Sequence, residues 1–261
     1  MKILLKTLLF VSVFTLIVNA DTKFKKSYYN LHITKQKEYF FSFFSKEIEL
    51  ENRKILEERE FIKSLNKNKN LDKNSEKYKR LKKLQTKYKI QDIYNYSRFL
   101  ERVDIIPPSM ALAQAATESG WGKSRFFKEA NNIFGHWTYN AKIGMKPLRR
   151  PEGQKHFIRI FPSLQDSIAA YMLNLNRTAA YYEFRLKRKQ QKTTNNFIDG
   201  MKLSSTMHKY SGIGHDYISI LKSIIRKNKL ITYDIKFQNK IKKEKLNQIK
   251  EKNEIHSPVK I

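Results

Sequence analysis

Residues 105–120, Ile-Ile-Pro-Pro-Ser-Met-Ala-Leu-Ala-Gln-Ala-Ala-Thr-Glu-Ser-Gly, constrain this chain more than any other stretch. Proline is tolerated in a first helical turn and pushes the residue before it away from helical angles, so Pro107 and Pro108 set up a helix start. From Ser109 onward Ala, Leu, Met and Gln are good helix formers, and Gly120 provides a left-handed stop. Alanines 111, 113, 115 and 116 leave room for neighbours to pack closely on several faces. Glu118 therefore sits in the last turn of a helix that its surroundings can hold rigid.

A carboxylate in that position feels the negative end of the helix macrodipole, and an apolar neighbour such as Trp121 further disfavours its charged form. Both effects raise its pKa. A carboxyl still protonated near neutral pH can donate to a leaving oxygen, which is what glycoside hydrolysis asks of a general acid. The plainer reading, an exposed last residue of a helix, stays open on Glu118 alone.

The rest of the chain reads as helices around one interruption. Phe41, Phe44, Ile48, Ile55, Ile62 and Leu65 recur three, four or seven apart, which predicts an amphipathic helix over 40–65. Asn66 to Asn70 form a polar break, and Tyr78, Leu81, Leu84 and Tyr88 share the face of a second helix. Both are expected to pack under the domain that follows, with a partner-binding coiled coil as the alternative for the first. Gly144, Pro147, Pro151 and Gly153 then punctuate a segment that ends in the β-forming run His156–Phe161, a small hairpin lobe. Helical spacing resumes at Ile168, Tyr171, Met172 and Leu175, and again from Tyr217 to Ile225. The division expected is 1–20, 21–100 (helical, packing on the domain), 101–232 (the domain) and 233–261, a lysine-rich tail, mobile or a frayed helix.

The first twenty residues place Lys2 and Lys6 before an apolar run from Leu8 to Val18 and close on Val18-Asn19-Ala20, the pattern of an export signal. An uncleaved anchor is the alternative, although the run is shorter than the roughly 18 residues a spanning helix needs. The chain has no cysteine, hence no lipoprotein acceptor, disulfide framework or thiolate metal site. Its formal charge of +29 attracts polyanions. For an exported protein these are cell-wall peptide carboxylates and anionic lipid head groups rather than nucleic acid, though abundant Lys, Asn, Ile, Tyr and Phe also suit an A+T-rich genome. His136, His156, His208 and His215 show no metal-ligand pairing, and Ser119 lacks the turn of a nucleophilic serine. No metal or other cofactor is expected.

Ala-Gln-Ala-Ala-Thr-Glu-Ser-Gly-Trp-Gly-Lys-Ser, followed by Asn131-Asn132-Ile133-Phe134-Gly135, resembles the glucosaminidase domain of glycoside hydrolase family 73, in its Bax-like branch. Arg102-Val103-Asp104, Arg149-Arg150-Pro151, Phe161-Pro-Ser, Ser167-Ile-Ala-Ala-Tyr171, Asn174-Leu-Asn176 and Tyr210-Ser extend the likeness over roughly residues 38 to 232. The resemblance implies a mainly α, lysozyme-like α+β fold with a small β-hairpin lobe across a cleft. It also implies an endo-β-N-acetylglucosaminidase acting on the glycan strands of peptidoglycan.

Glu118 aligns with the family's catalytic acid, and Tyr210 and Tyr217 match aromatic positions of which one helps at the active site. Asn131, Asn132 and Phe134 would shape the floor, by sugar contact or by bracing a loop, and Trp121 and Trp137 are candidate sugar platforms. Many members carry a second glutamate in the lobe; here Glu152 is the one acid between Glu129 and Asp166, in a turn-like Arg-Arg-Pro-Glu-Gly. Without a placed base, the substrate's N-acetyl group could serve as nucleophile, with hydrolysis or an anhydro product. Two other readings stand beside the hydrolase: a non-catalytic wall-binding protein and a lytic transglycosylase of the same fold class.

Overall fold

The structure, a computed structural model, describes residues 24–148 and 153–255, with side chains to residue 251. The segment 1–20 and Arg149, Arg150, Pro151 and Glu152 lie outside the described residues. In chain order the helices are α1 (Lys26–Tyr29), α2 (Ile33–Ser64), α3 (Glu76–Tyr88), α4 (Tyr96–Arg102), α5 (Pro108–Ser119) and α6 (Arg125–Ala130). Three short strands follow, β1 (Trp137–Thr138), β2 (Gly144–Met145) and β3 (Phe157–Arg159). Then come α7 (Leu164–Arg177), α8 (Tyr182–Asn195), α9 (Gly200–Leu203), α10 (His215–Lys227) and α11 (Ile231–Ile255). The fold is mainly helical with one small antiparallel sheet, an α+β arrangement.

α5 is the axis of the core. Every residue from Pro108 to Ala116 is buried, and α2, α9, α10 and α11 all pack on it, which only small side chains allow. Its entry is stitched by distant side chains because two prolines offer no N–H of their own. The Asn52 amide on α2 donates to Ile106 O (2.8 Å) and accepts from Ile106 N (2.9 Å). Pro107 has no side chain to cap the helix, and Asp234 of α11 does so instead. Its carboxyl accepts from Ser109 N (2.7 Å), Ser109 Oγ (2.6 Å) and Gly200 N (2.9 Å).

α2 spans 32 residues, about 48 Å at helical rise, and buries the predicted Phe41, Phe44, Ile48, Ile55 and Ile62 against α5 and α7. It is an internal support and its apolar stripe is consumed within the chain. The tail expectation is corrected: residues 231–255 form a helix of 25 residues with Asp234 and Phe237 buried. Lys240 and Lys245 pair with Glu49 (2.6 Å) and Glu60 (2.7 Å), and Glu244 pairs with Arg53 (2.9 Å). Lysines that look like a solvated run in sequence thus lie along the acids of α2.

The lobe is a three-stranded antiparallel sheet rather than a single hairpin. β3 is central, with Trp137↔Ile158 on one side and Met145↔Ile158 on the other.

Candidate active site

Glu118 ends α5 at a reversal in which Gly120, Trp121 and Gly122 all take positive φ (56°, 60° and 75°). Ser119 ties this turn, its hydroxyl donating to Ala115 O (2.6 Å) and accepting from Gly122 N (2.9 Å). A left-handed Trp costs on the order of 1–3 kcal/mol. The offset is tertiary: the indole packs edge-on against Phe40 and Phe41 of α2 (5.5 and 5.4 Å between ring centres), under Lys37. Tyr28 and Tyr29 donate to the carbonyls of Trp121 (2.8 Å) and Gly122 (3.0 Å). A Cβ at Gly122 would come within 2.8 Å of the Phe24 ring. Ser-Gly-Trp-Gly is therefore the place where the N-terminal helices grip the acid-bearing helix. This corrects the sequence expectation for Trp121, which is a packing anchor and lines no part of the cleft.

The cleft itself, of about 1170 Å³, is lined around the acid by Glu118, Phe134, Gly135, His136, Trp137 and Tyr210. Gly135 (φ 69°) matters here: a Cβ at that position would lie 3.6 Å from Glu118 Oε2, so its bareness leaves the carboxyl's free oxygen uncovered. The other oxygen, Oε1, accepts from Tyr217 Oη at 2.7 Å. Tyr217 is 1 % exposed and lies parallel to Tyr210 (5.7 Å between centres, 4° between planes), whose hydroxyl donates to Phe134 O (3.2 Å). Phe134 in turn stacks on Tyr171 at 3.9 Å. Tyr217 thus touches the carboxyl directly, whereas Tyr210 forms the wall beside it.

Burial raises the pKa of Glu118, and the Tyr217 hydrogen bond pulls it part of the way back. Among the described residues no cation pairs with this carboxyl, so nothing stronger opposes the loss of water. Phe134 and Tyr210 line the cleft beside this carboxyl.

Asn131 and Asn132 brace the floor from behind and line no part of the cleft. Asn131, left-handed at φ 50°, donates to Phe161 O (3.0 Å) and Pro162 O (3.2 Å). Asn132 donates to His136 O (2.9 Å) and Arg159 O (2.8 Å) and accepts from His136 N (3.0 Å), clamping the lobe to the loop. Of their two predicted roles, loop bracing is the one the geometry supports. Trp137 does face the cleft, 61 % exposed and stacked on His156 at 4.0 Å. His136 is held to a pKa of about 4, first by burial and then by Arg159, so it is neutral at physiological pH.

Among the described residues the other acids lining the cleft are Glu51 and Asp166. Glu51 accepts from Gln165 and Lys54 (both 3.2 Å), and Asp166 accepts from Ser163 Oγ (2.7 Å) at the start of α7. Both are engaged elsewhere, and Glu152 lies outside the described residues.

Sequence reasoning missed Gln114, Tyr171 and Arg177. Gln114 had a signal, standing one turn before Glu118 on the same face; the others reach the site through tertiary packing alone.

Residues 93–230 match the model of a family described as "Glucosaminidase: Mannosyl-glycoprotein endo-beta-N-acetylglucosaminidase". The chain is 33 % identical over 133 residues to Protein bax of Escherichia coli (strain K12), covering 51 % of this chain and 47 % of that protein. It therefore spans about half the length of the curated relative it matches. The crystal structure of the catalytic domain of the autolysin Auto from Listeria monocytogenes is similar at 22 % identity and a TM-score of 0.39, covering 68 % of this chain and 87 % of the other. The family match takes in more than half of the chain, including Glu118, Tyr217 and the whole lobe, and the chain belongs to the glucosaminidase family of glycoside hydrolases.

Proposed function

We propose that the protein cleaves peptidoglycan glycan strands as an endo-β-N-acetylglucosaminidase, with Glu118 as general acid. The observation that carries this is the carboxyl's setting: partly buried in an open cleft, with no cation paired to it among the described residues, one oxygen held by Tyr217 and the other bare beside Gly135. A group so placed holds its proton where a glycosidic oxygen can take it. As the proton moves from Oε2 to that oxygen, the bond between the oxygen and the anomeric carbon breaks and positive charge develops on the sugar ring. The carboxylate left behind is stabilised by the Tyr217 hydroxyl, which already points at it. Exposed Trp137 at the rim offers an aromatic face to the apolar side of a sugar.

The engagement of Glu51 and Asp166 in other bonds favours a second reading of the step that follows. Here the substrate's own N-acetyl oxygen attacks the anomeric carbon, and water or a sugar hydroxyl then opens the ring so formed. Envelope placement through the export-like segment 1–20 belongs to the same proposal.

Mass spectrometry of fragments released from purified sacculi tests the cleavage and its product. Reducing N-acetylglucosamine ends support the hydrolase, 1,6-anhydro ends turn the reading to a transglycosylase, and sedimentation with sacculi without fragments leaves a wall-binding protein. Glu118→Gln that releases fragments as fast as the wild type removes Glu118 from the role.

A further inference from the structure

Gln114 and Tyr171 are wholly buried and neither lines the cleft, yet both are wired to the acid. Tyr171 Oη donates to Gln114 Oε1 (2.6 Å), Gln114 Nε2 donates to Tyr217 Oη (3.2 Å), and Tyr217 Oη donates to Glu118 Oε1 (2.7 Å). The direction of this chain is fixed by what each atom can do. An amide oxygen only accepts, so Tyr171 must be the donor; an amide nitrogen only donates, so the Tyr217 oxygen must accept from it. Tyr217 has a single proton, and that proton is left for Glu118. Oε1 is thereby occupied as an acceptor, and the exchangeable proton of the acid belongs on Oε2, beside bare Gly135.

We infer that Gln114, oriented by Tyr171, is a positioning residue that keeps the proton of Glu118 on the oxygen facing the cleft. The two ends of an amide are alike in size, so packing does not choose between them. Turned over, Gln114 would present its oxygen to Tyr217 and take the phenol proton. Glu118 could then bond Tyr217 only by donating its own proton from Oε1, away from the substrate. The turned state would also strand the Tyr171 hydroxyl, which has no other acceptor among the described residues, and burying an unpaired donor is costly. Tyr171 is the latch that prevents it. This inference rests on Glu118 being the acid proposed above.

The test follows the Glu118 carboxyl itself, by ¹³C NMR titration of the full chain, with Glu118→Gln assigning the signal. Tyr171→Phe keeps the ring that stacks on Phe134 and removes the latch; the Glu118 midpoint is expected to rise by about one pH unit, a tenfold change in proton affinity. Gln114→Glu is expected to lower kcat on sacculi about tenfold near pH 8, with KM unchanged, and to recover towards wild type near pH 5. Recovery follows because the new carboxyl, once protonated, accepts from Tyr171 and donates to Tyr217 as the amide does. A merely structural glutamine would give a loss that is flat with pH. The inference is overturned if Tyr171→Phe leaves the Glu118 titration where it was, or if the Gln114→Glu profile runs parallel to wild type. Should Gln114→Glu fail to fold, Tyr171→Phe alone decides. If wild type releases no fragments from sacculi, the function proposed above fails while the titration still judges the wiring.

Discussion

Asp104 and Glu118 are two carboxyls withdrawn from water in one small domain, and their surroundings drive them in opposite directions. Asp104 is 4 % exposed. Burial is the largest influence on it and pushes its pKa up, but Arg59, Lys192 and Arg188 together outweigh burial and bring it below the usual carboxylate range. Arg59 and Lys192 lie 3.2 and 2.7 Å from it. Arg188 spends its guanidinium on the carbonyls of Glu101, Asp104 and Ile105, pinning the end of α4 to α8. Among the described residues no cation pairs with Glu118, which accepts from Tyr217 and is raised by burial. A third case, Asp234, is buried among neutral donors and is raised to about 7, first by burial. Burial sets the demand in all three; the presence or absence of a paired cation decides whether the pKa ends below or above the usual carboxylate range.

The largest effect is expected at Glu118. Glu118→Gln is expected to lower kcat on sacculi by about 10³-fold, read from the release of reducing ends. The same variant sharpens the contrast through stability. A raised carboxyl binds its proton more tightly in the folded chain, so its contribution is lost as pH rises above the unfolded value near 4.5. Glu118→Gln should therefore melt higher than wild type at neutral pH and alike near pH 4, with the gap growing between. A melting series in which the gap is absent at neutral pH contradicts the assigned direction.

Asp104→Ala should do the reverse. It leaves Arg59, Arg188 and Lys192 facing one another without their counter-ion, a loss of about 3–5 kcal/mol in denaturant unfolding, with activity per folded molecule intact. In the wild type the stability from Asp104 is fully present above its unfolded value near 3.8 and disappears as pH falls through the lower folded value. Tyr217→Phe sits lower on the scale. It is expected to cost about tenfold in kcat and to move the Glu118 titration upward, since it removes the one hydrogen bond that favours the charged form. Smallest of all, Lys245→Ala removes a pair with Glu60 in which both partners are 45 % exposed, and should change stability by less than about 1 kcal/mol.

Much of the architecture could be read from local signals. The double proline and Gly120 bound α5, the periodic stripe of α2 is buried as its spacing predicts, and Glu118 stands out by its neighbours in sequence. The parts that were not legible depend on partners far along the chain. Trp121 looks like a platform until Phe40 and Phe41 are found beneath it, and the lysines of α11 look solvated until Glu49 and Glu60 lie opposite. Gln114 and Tyr171, 57 residues apart, have no local reason to meet. A hydrogen-bond partner chosen by tertiary packing leaves no period to detect.

The Asp234 cap gives the molecule an order of assembly. The helix that carries the acid at its far end has its first turn tied off by a residue made more than a hundred positions later. A ribosome delivers the N-terminal part first, so a growing chain already holding the described cleft residues still lacks the cap on this helix. The donors of Ser109 and Gly200 find their acceptor only once α11 has been made, which places the completion of this helix start after the synthesis of Glu118 itself.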